Sequence, residues 1–244
     1  MDVLAKLDET RAAINVLEHP FYQRWSAGEL SAEELDRYAG EYRLAVLALA
    51  QASTRAAECA AASAASSPVA ASHSAELSEH AEEEAAHVAL WEQFERAAAA
   101  ANAPDGDRTG ADVRAGLEAQ RAAAGRESEL AGTRACVHAW EAGEDLLEHL
   151  AVLYAIEAGQ PDVSTTKLAG LTEHYGFSLE GPATEYFRVH ERRDVEHAEQ
   201  ARELIARLLD ELDDPEAHAE RMLVRARDAL HGNWLLLDAV EAAC

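Results

Sequence analysis

Three observations predict an all-α protein. Ala, Leu and Glu dominate the 244 residues, while Gly (13), Pro (6) and aromatic residues (6%) are scarce. Apolar residues recur at three- and four-residue steps over long stretches, the period of a helix with one buried face. Breaker residues such as Ser66-Ser67-Pro68 and Gly159-Gln-Pro161 fall between those stretches. No repeat, linker or charge block divides the chain. Residues 1–244 therefore read as one all-α domain of about seven to eight helices, large enough for a sizeable core.

Residues 2–17 form the first expected helix, which ends before His19-Pro20 because the residue preceding proline avoids the α region. Phe21-Tyr22-Gln-Arg-Trp25 is an aromatic turn or short helix closed by Gly28. Ser31-Ala-Glu-Glu34 is a capping box opening a helix over 32–62. The next helix covers 69–102 and stops at Asn102-Ala-Pro104-Asp-Gly106. Residues 103–127 hold a Gly- and charge-rich connection with a weak helix at 111–123. One helix is expected over 127–158, and a short one from Ser164 to Tyr175 with Gly176 as its cap. Gly181-Pro182 leads into a helix over 182–210, and Asp213-Asp214-Pro215 starts the last, over 215–241.

The formal net charge of −25 argues against nucleic acid or an anionic membrane surface as partner. No charge-free apolar run reaches the roughly 18 residues of a membrane span, and the N-terminus lacks a basic-then-apolar signal. Three scattered cysteines, Cys59, Cys136 and Cys244, read as reduced thiols, so a cytoplasmic protein is expected.

Chemistry concentrates in the helix over 182–210. Steps of four and three residues put His190, Asp194 and His197 on one face, in line with Tyr186 and Phe187 before them and Leu204, Ile205 and Leu208 after. Buried imidazoles and a buried carboxylate are costly unless paired or bound to metal. The plainer alternative is a helix whose histidines are hydrogen-bonded core groups. Two further sites raise the metal reading. His87 shares a face with Leu90, Trp91 and Phe94, and one turn back stand Glu84 and Glu83, with Leu77, Glu84 and Trp91 at sevens favouring Glu84. His73 and His80 lie on that face too and read as polar packing or as groups behind the ligands. Glu157 is a single carboxylate on the apolar stripe of Leu146, Leu150, Leu153 and Tyr154. Three imidazoles and three carboxylates without a thiolate suit iron or manganese, and in a helical bundle they suffice for two ions.

Four stretches then point to a family: His19-Pro-Phe-Tyr-Gln-Arg-Trp25 with Gly28-Glu-Leu; His87-Val-Ala-Leu-Trp91; Leu153-Tyr-Ala-Ile-Glu157 with Lys167-Leu-Ala-Gly-Leu and His174-Tyr-Gly176; and Tyr186-Phe through His197. Nearly end to end, the sequence resembles the haem-oxygenase-like diiron oxidases, related in fold to the TenA and PqqC proteins. Its closest branch looks like the CADD-type p-aminobenzoate synthases, although Ile156 stands where that branch often has an aromatic. The resemblance implies a compact haem-oxygenase-like bundle with a central site. The ligands implied are the carboxylate before His87 (Glu84, or Glu83), His87, Glu157, His190, Asp194 and His197. The implied cofactors are two Fe ions, or Fe with Mn, with O2 as cosubstrate. It further implies that Tyr22 is consumed and that Lys167 supplies the amino group; Tyr42 is another pocket candidate. The substrate is then a small molecule or the protein's own side chain, and a homodimer is compatible with the family. Two other classes remain open: a metal-independent TenA-like thiaminase or pyrimidine binder, and a non-catalytic helical scaffold.

Overall fold

The computed structural model describes residues 2–103, 128 and 130–243. In chain order its helices are α1 (Val3–Ala13), α2 (Pro20–Ala27), α3 (Ala32–Ser63), α4 (Pro68–Asn102), α5 (Ala131–Glu141), α6 (Leu146–Glu157), α7 (Gln160–Glu173), α8 (Glu185–Asp210) and α9 (Pro215–Ala242). Short 3₁₀ turns precede α2 at Val16–Glu18 and α8 at Pro182–Thr184. Among the described residues there is no strand, and no helix is long and apolar enough to cross a membrane. The expected helix at 111–123 and Cys244 lie outside the described residues.

Local chemistry accounts for most boundaries. Ser31 and Glu34 close the expected capping box, each side chain meeting the other residue's backbone N–H. Ser67 caps α4 by accepting from the N–H of Ala70. The imidazole of His19 accepts from the N–H of Phe21, so the residue before Pro20 is itself the cap of α2. That cap makes Phe21 to Trp25 a full helix, with Phe21, Tyr22 and Trp25 buried.

Four expectations require correction. The first helix ends at Ala13, and residues 16–18 form a separate 3₁₀ turn capped by Asn15. The single helix expected over 127–158 is two, broken at 142–145. Asp145 restarts the chain as α6 by accepting from the N–H of Glu148, and Gly143 leaves room for the His149 ring, which a Cβ there would approach to 2.7 Å. The helix expected from Ser164 begins at Gln160, because Pro161 occupies the first turn, where its missing N–H costs nothing. The helix expected from 182 starts as the 3₁₀ turn and becomes α-helical at Glu185.

α3 and α4 form a hairpin across the turn at 64–67, and α8 packs against α4, α6 and α7. α6 is buried along its whole length. Its one intruding acid near the start, Glu148, is neutralised by Arg221 and Arg225 of α9 at 2.7 and 2.8 Å. The centre of the bundle is thus where α4, α6 and α8 face one another, and all three bring polar residues to it.

Candidate metal centre

Each of these helices aims its polar groups inward for the reason the periodicity gave: they lie in line with its apolar face. Glu84, His87, Glu157, His190, Asp194 and His197 are all buried. Glu84 accepts from His87 Nδ1 at 3.0 Å, and its other oxygen lies 3.8 Å from His190 Nε2. His190 Nδ1 is 2.7 Å from the carbonyl of Tyr186. A carbonyl only accepts, so Nδ1 carries a proton and Nε2 is the nitrogen that faces the cluster. The ring is held flat against Tyr186, with centroids 3.9 Å apart. Glu83, by contrast, is two-fifths exposed and ion-paired to Arg193, although Oε2 also comes within 3.3 Å of His197.

His80, read from sequence as packing or a group behind the ligands, lies among the donors. Its ring lies tilted against that of His197 with centroids 4.0 Å apart, and its Nε2 is 3.1 Å from Glu157. The signal was its seven-residue spacing from His87, which puts both on one face of α4. Three sets of donor atoms converge within 4.8 Å of one another: Glu84, His87 and His190; His80, Glu157 and His197; and Glu84, Asp194 and His197.

The donors fit a metal because so many lack any other partner. Both oxygens of Glu157, both of Asp194, Nε2 of His80 and His190, and Nδ1 of His197 are buried without a hydrogen bond; the close His80–Glu157 approach is misdirected for one. Burying a lone carboxylate costs several kcal/mol, which exceeds the roughly 1.5–3 kcal/mol from burying a large apolar side chain. The electrostatics agree. Burial drives the Asp194 carboxyl well above its ordinary range, only partly offset by His190. Burial would lower His80, but Glu157 and then Glu84 raise its imidazole to about 9. Burial would likewise lower His190, yet Glu84 leaves it raised, and Glu84 is held below the usual carboxylate range by His190 and His87 against its own burial. The acids of the cluster thus favour positive charge at His80 and His190, while burial and the neighbouring His80 lower His197.

A second cluster lies beside the first. Lys167 on α7 is buried, and its Nζ sits 4.6–5.6 Å from the ring centres of Tyr22, Tyr38, Tyr42, Trp91 and Phe187. Burial alone lowers its amine to about 7. The hydroxyls of Tyr22 and Tyr38 are hydrogen-bonded at 3.1 Å, and burial raises both well above an ordinary tyrosine. Sequence reasoning paired Tyr22 with Lys167 and missed Tyr38, whose place four residues before Tyr42 on the buried face of α3 was the available signal. Trp25 fixes the cage: its Nε1 donates to the carbonyl of Lys167, and its ring fills the space where Gly170 has no side chain. Tyr186 and Trp91 bridge the clusters, with ring centres 4.9 Å apart and Tyr186 against His190.

Residues 5–98 match the TENA/THI-4/PQQC family. The chain is similar to a 4-aminobenzoate synthase of Chlamydia muridarum, with 30% identity over 234 residues, 93% of this chain and 87% of that protein. A 4-aminobenzoate synthase of Chlamydia trachomatis is 30% identical over 98% of this chain and 92% of its own length, and one of Nitrosomonas europaea 29% identical over 97% and 89%. Among solved structures, a TenA homologue of Pseudomonas syringae superposes with a TM-score of 0.72 at 17% identity, covering 98% of this chain and 91% of that one. A domain with a heme oxygenase-like fold from Shewanella denitrificans superposes at 0.65, with 16% identity and 98% and 90% coverage. The fold is therefore haem-oxygenase-like.

Proposed function

This chain belongs to the TENA/THI-4/PQQC family, and from that premise we propose that it is an O2-dependent enzyme that holds two iron ions, or iron with manganese, and forms 4-aminobenzoate from its own Tyr22 with nitrogen from Lys167. The observation that carries the reading is the set of buried imidazole and carboxylate donors without partners. Glu84, His87 and His190 would hold one ion, and His80, Glu157 and His197 the other, with Asp194 between them. Bound there, such ions supply electrons and open coordination positions for O2.

The chain's own residues do the rest. The Tyr186 carbonyl fixes the tautomer of His190. Trp91, Tyr186 and Phe187 exclude water between the clusters. The cage lowers the Lys167 amine to about 7, so a nitrogen lone pair is available at neutral pH where an ordinary lysine would have almost none. Tyr22, within 5.5 Å of that amine by its ring centre, offers the aromatic carbon skeleton. The relatives named 4-aminobenzoate synthase support this choice of product. A thiol-dependent, metal-free hydrolase fits less well: Cys136 is buried and burial pushes its thiol up, as it does that of Cys59.

Anaerobic titration with Fe(II) is expected to reach about two ions per chain and to fall by at least one in His190→Ala that retains its helical spectrum. After exposure to O2, intact-protein mass spectrometry is expected to register loss of the Tyr22 side chain. Uptake below one ion, indifferent to His190, overturns the metal reading. An unmodified chain that turns over an external substrate many times overturns the self-consuming one.

A further inference from the structure

On the far side of α6 from the donors, a cleft of about 260 Å³ opens between α1, the start of α7 and α9. Its walls include Ile156, Val163 and Leu230, and its polar groups are Arg11, Gln160, Asn233 and the exposed Asn15, with the exposed Asp162 the one acid among its lining residues. The volume falls just below the roughly 300–1,000 Å³ of sites for drug-sized ligands, which suits one substituted benzene ring.

Two features mark this cleft as more than a surface groove. Asn233 is 94% buried by its 6% exposure, and its Oδ1 has no hydrogen-bond partner. Arg11 donates from NH1 to the carbonyl of Ala158, its Nε has no partner, and among the described residues no carboxylate pairs with it. Asp8, one turn back, feels the Arg11 charge without closing an ion pair, so in a chain of net charge −25 the Arg11 guanidinium still has donors to offer an anion. Gln160 connects the cleft to the cage, since it lies close enough to the Tyr42 hydroxyl to oppose part of the rise that burial gives it, and the Tyr42 ring lies closest to the Lys167 amine.

We propose that this cleft binds a small aryl carboxylate carrying a hydrogen-bond donor at the other end of its ring, the class that includes 4-aminobenzoate, as it leaves the cage past Gln160. Arg11 takes the carboxylate, the apolar walls cover the ring, and Asn233 Oδ1 accepts from the amine. The choice of ligand rests on the function proposed above.

The test titrates metal-free protein, followed by ¹⁵N-resolved NMR, with 4-aminobenzoate, benzoate and aniline. With 4-aminobenzoate, shifts are expected around Arg11, Gln160 and Asn233. Loss of one charge-assisted contact predicts a roughly ten- to hundredfold weaker affinity in Arg11→Gln. Aniline on the wild-type protein should be weakened comparably, which tests the carboxylate contact without relying on the fold of a variant. Benzoate should bind more weakly than 4-aminobenzoate and be insensitive to Asn233→Leu. No binding of 4-aminobenzoate, equal affinity for aniline, or an Arg11→Gln titration matching the wild type overturns the proposal. Iron uptake and Tyr22 mass loss are read separately on the wild type. Their failure strikes the metal reading and leaves the titration standing.

Discussion

The donor cluster and the lysine cage are neighbours, yet they solve the burial of charge in opposite ways. Around Asp194 the chain assembles acids and imidazoles beyond what they can satisfy among themselves, leaving lone pairs with no partner. Around Lys167 it places an amine that, among the described residues, no acid pairs with, faced by the rings of five aromatics. One region resolves its surplus by taking a proton or a metal, and the other by giving its proton up. Aromatic faces attract a cation far more weakly than a carboxylate would, so the amine stays near 7 and its lone pair remains available. An acid beside Lys167 would remove that property. The same separation keeps the carboxylates on α4, α6 and α8 and the aromatics on α2, α3 and the next turns of α4 and α8.

Breaking the donor side should have the largest effect. Glu157→Ala removes two unpartnered oxygens and is expected to weaken binding of one metal ion at least a hundredfold, with product formation lost. Metal analysis after dialysis checks the first and mass spectrometry the second. Tight binding of two ions by this variant would break the contrast.

Breaking the cage side should affect stability with opposite sign. The fall of Lys167 from 10.5 to about 7 corresponds to roughly 5 kcal/mol. Lys167→Met is therefore expected to stabilise the metal-free protein by about 2–4 kcal/mol at pH 7 in urea unfolding while abolishing product. The pH dependence sharpens this. The folded value lies below the unfolded one, so the unfolded chain binds more protons between about 7 and 10.5. Wild-type stability should climb relative to Lys167→Met across that window, shrinking the gap between the two proteins, and should not change relative to it below the window.

Smaller effects test how the cage is held. Gly170→Ala places a methyl 2.5 Å from the Trp25 ring and should cost about 1–3 kcal/mol. Trp25→Phe, which removes the hydrogen bond to the Lys167 carbonyl, should cost about 1–3 kcal/mol with iron uptake unchanged. A loss of metal in either variant would mean that the two regions are one cooperative unit.

The residues themselves determined much of this molecule. Helical composition, the capping box at Ser31 and Glu34, and the steps from His190 to Asp194 to His197 are short-range facts, so class, most helices and inward-facing polar groups were legible. Periodicity assigned Glu157 and His87 to buried faces because their apolar neighbours share the same turns. It could not say that α6 stops short of α5, since that break depends on the His149 ring occupying the space beside Gly143. Nor could it separate His80 from an ordinary core histidine: spacing gives the face of a helix, and only the packing of α4 against α6 and α8 brings His80 within 3.1 Å of Glu157. The cage had the same status, because Tyr22, Tyr42, Trp91 and Lys167 stand on four helices and meet only once those helices pack. Local sequence thus decided which way each side chain faces, since rotation along a helix is set by residue spacing. Tertiary structure decided which side chains share a volume, since distances between helices depend on the packing of the whole core.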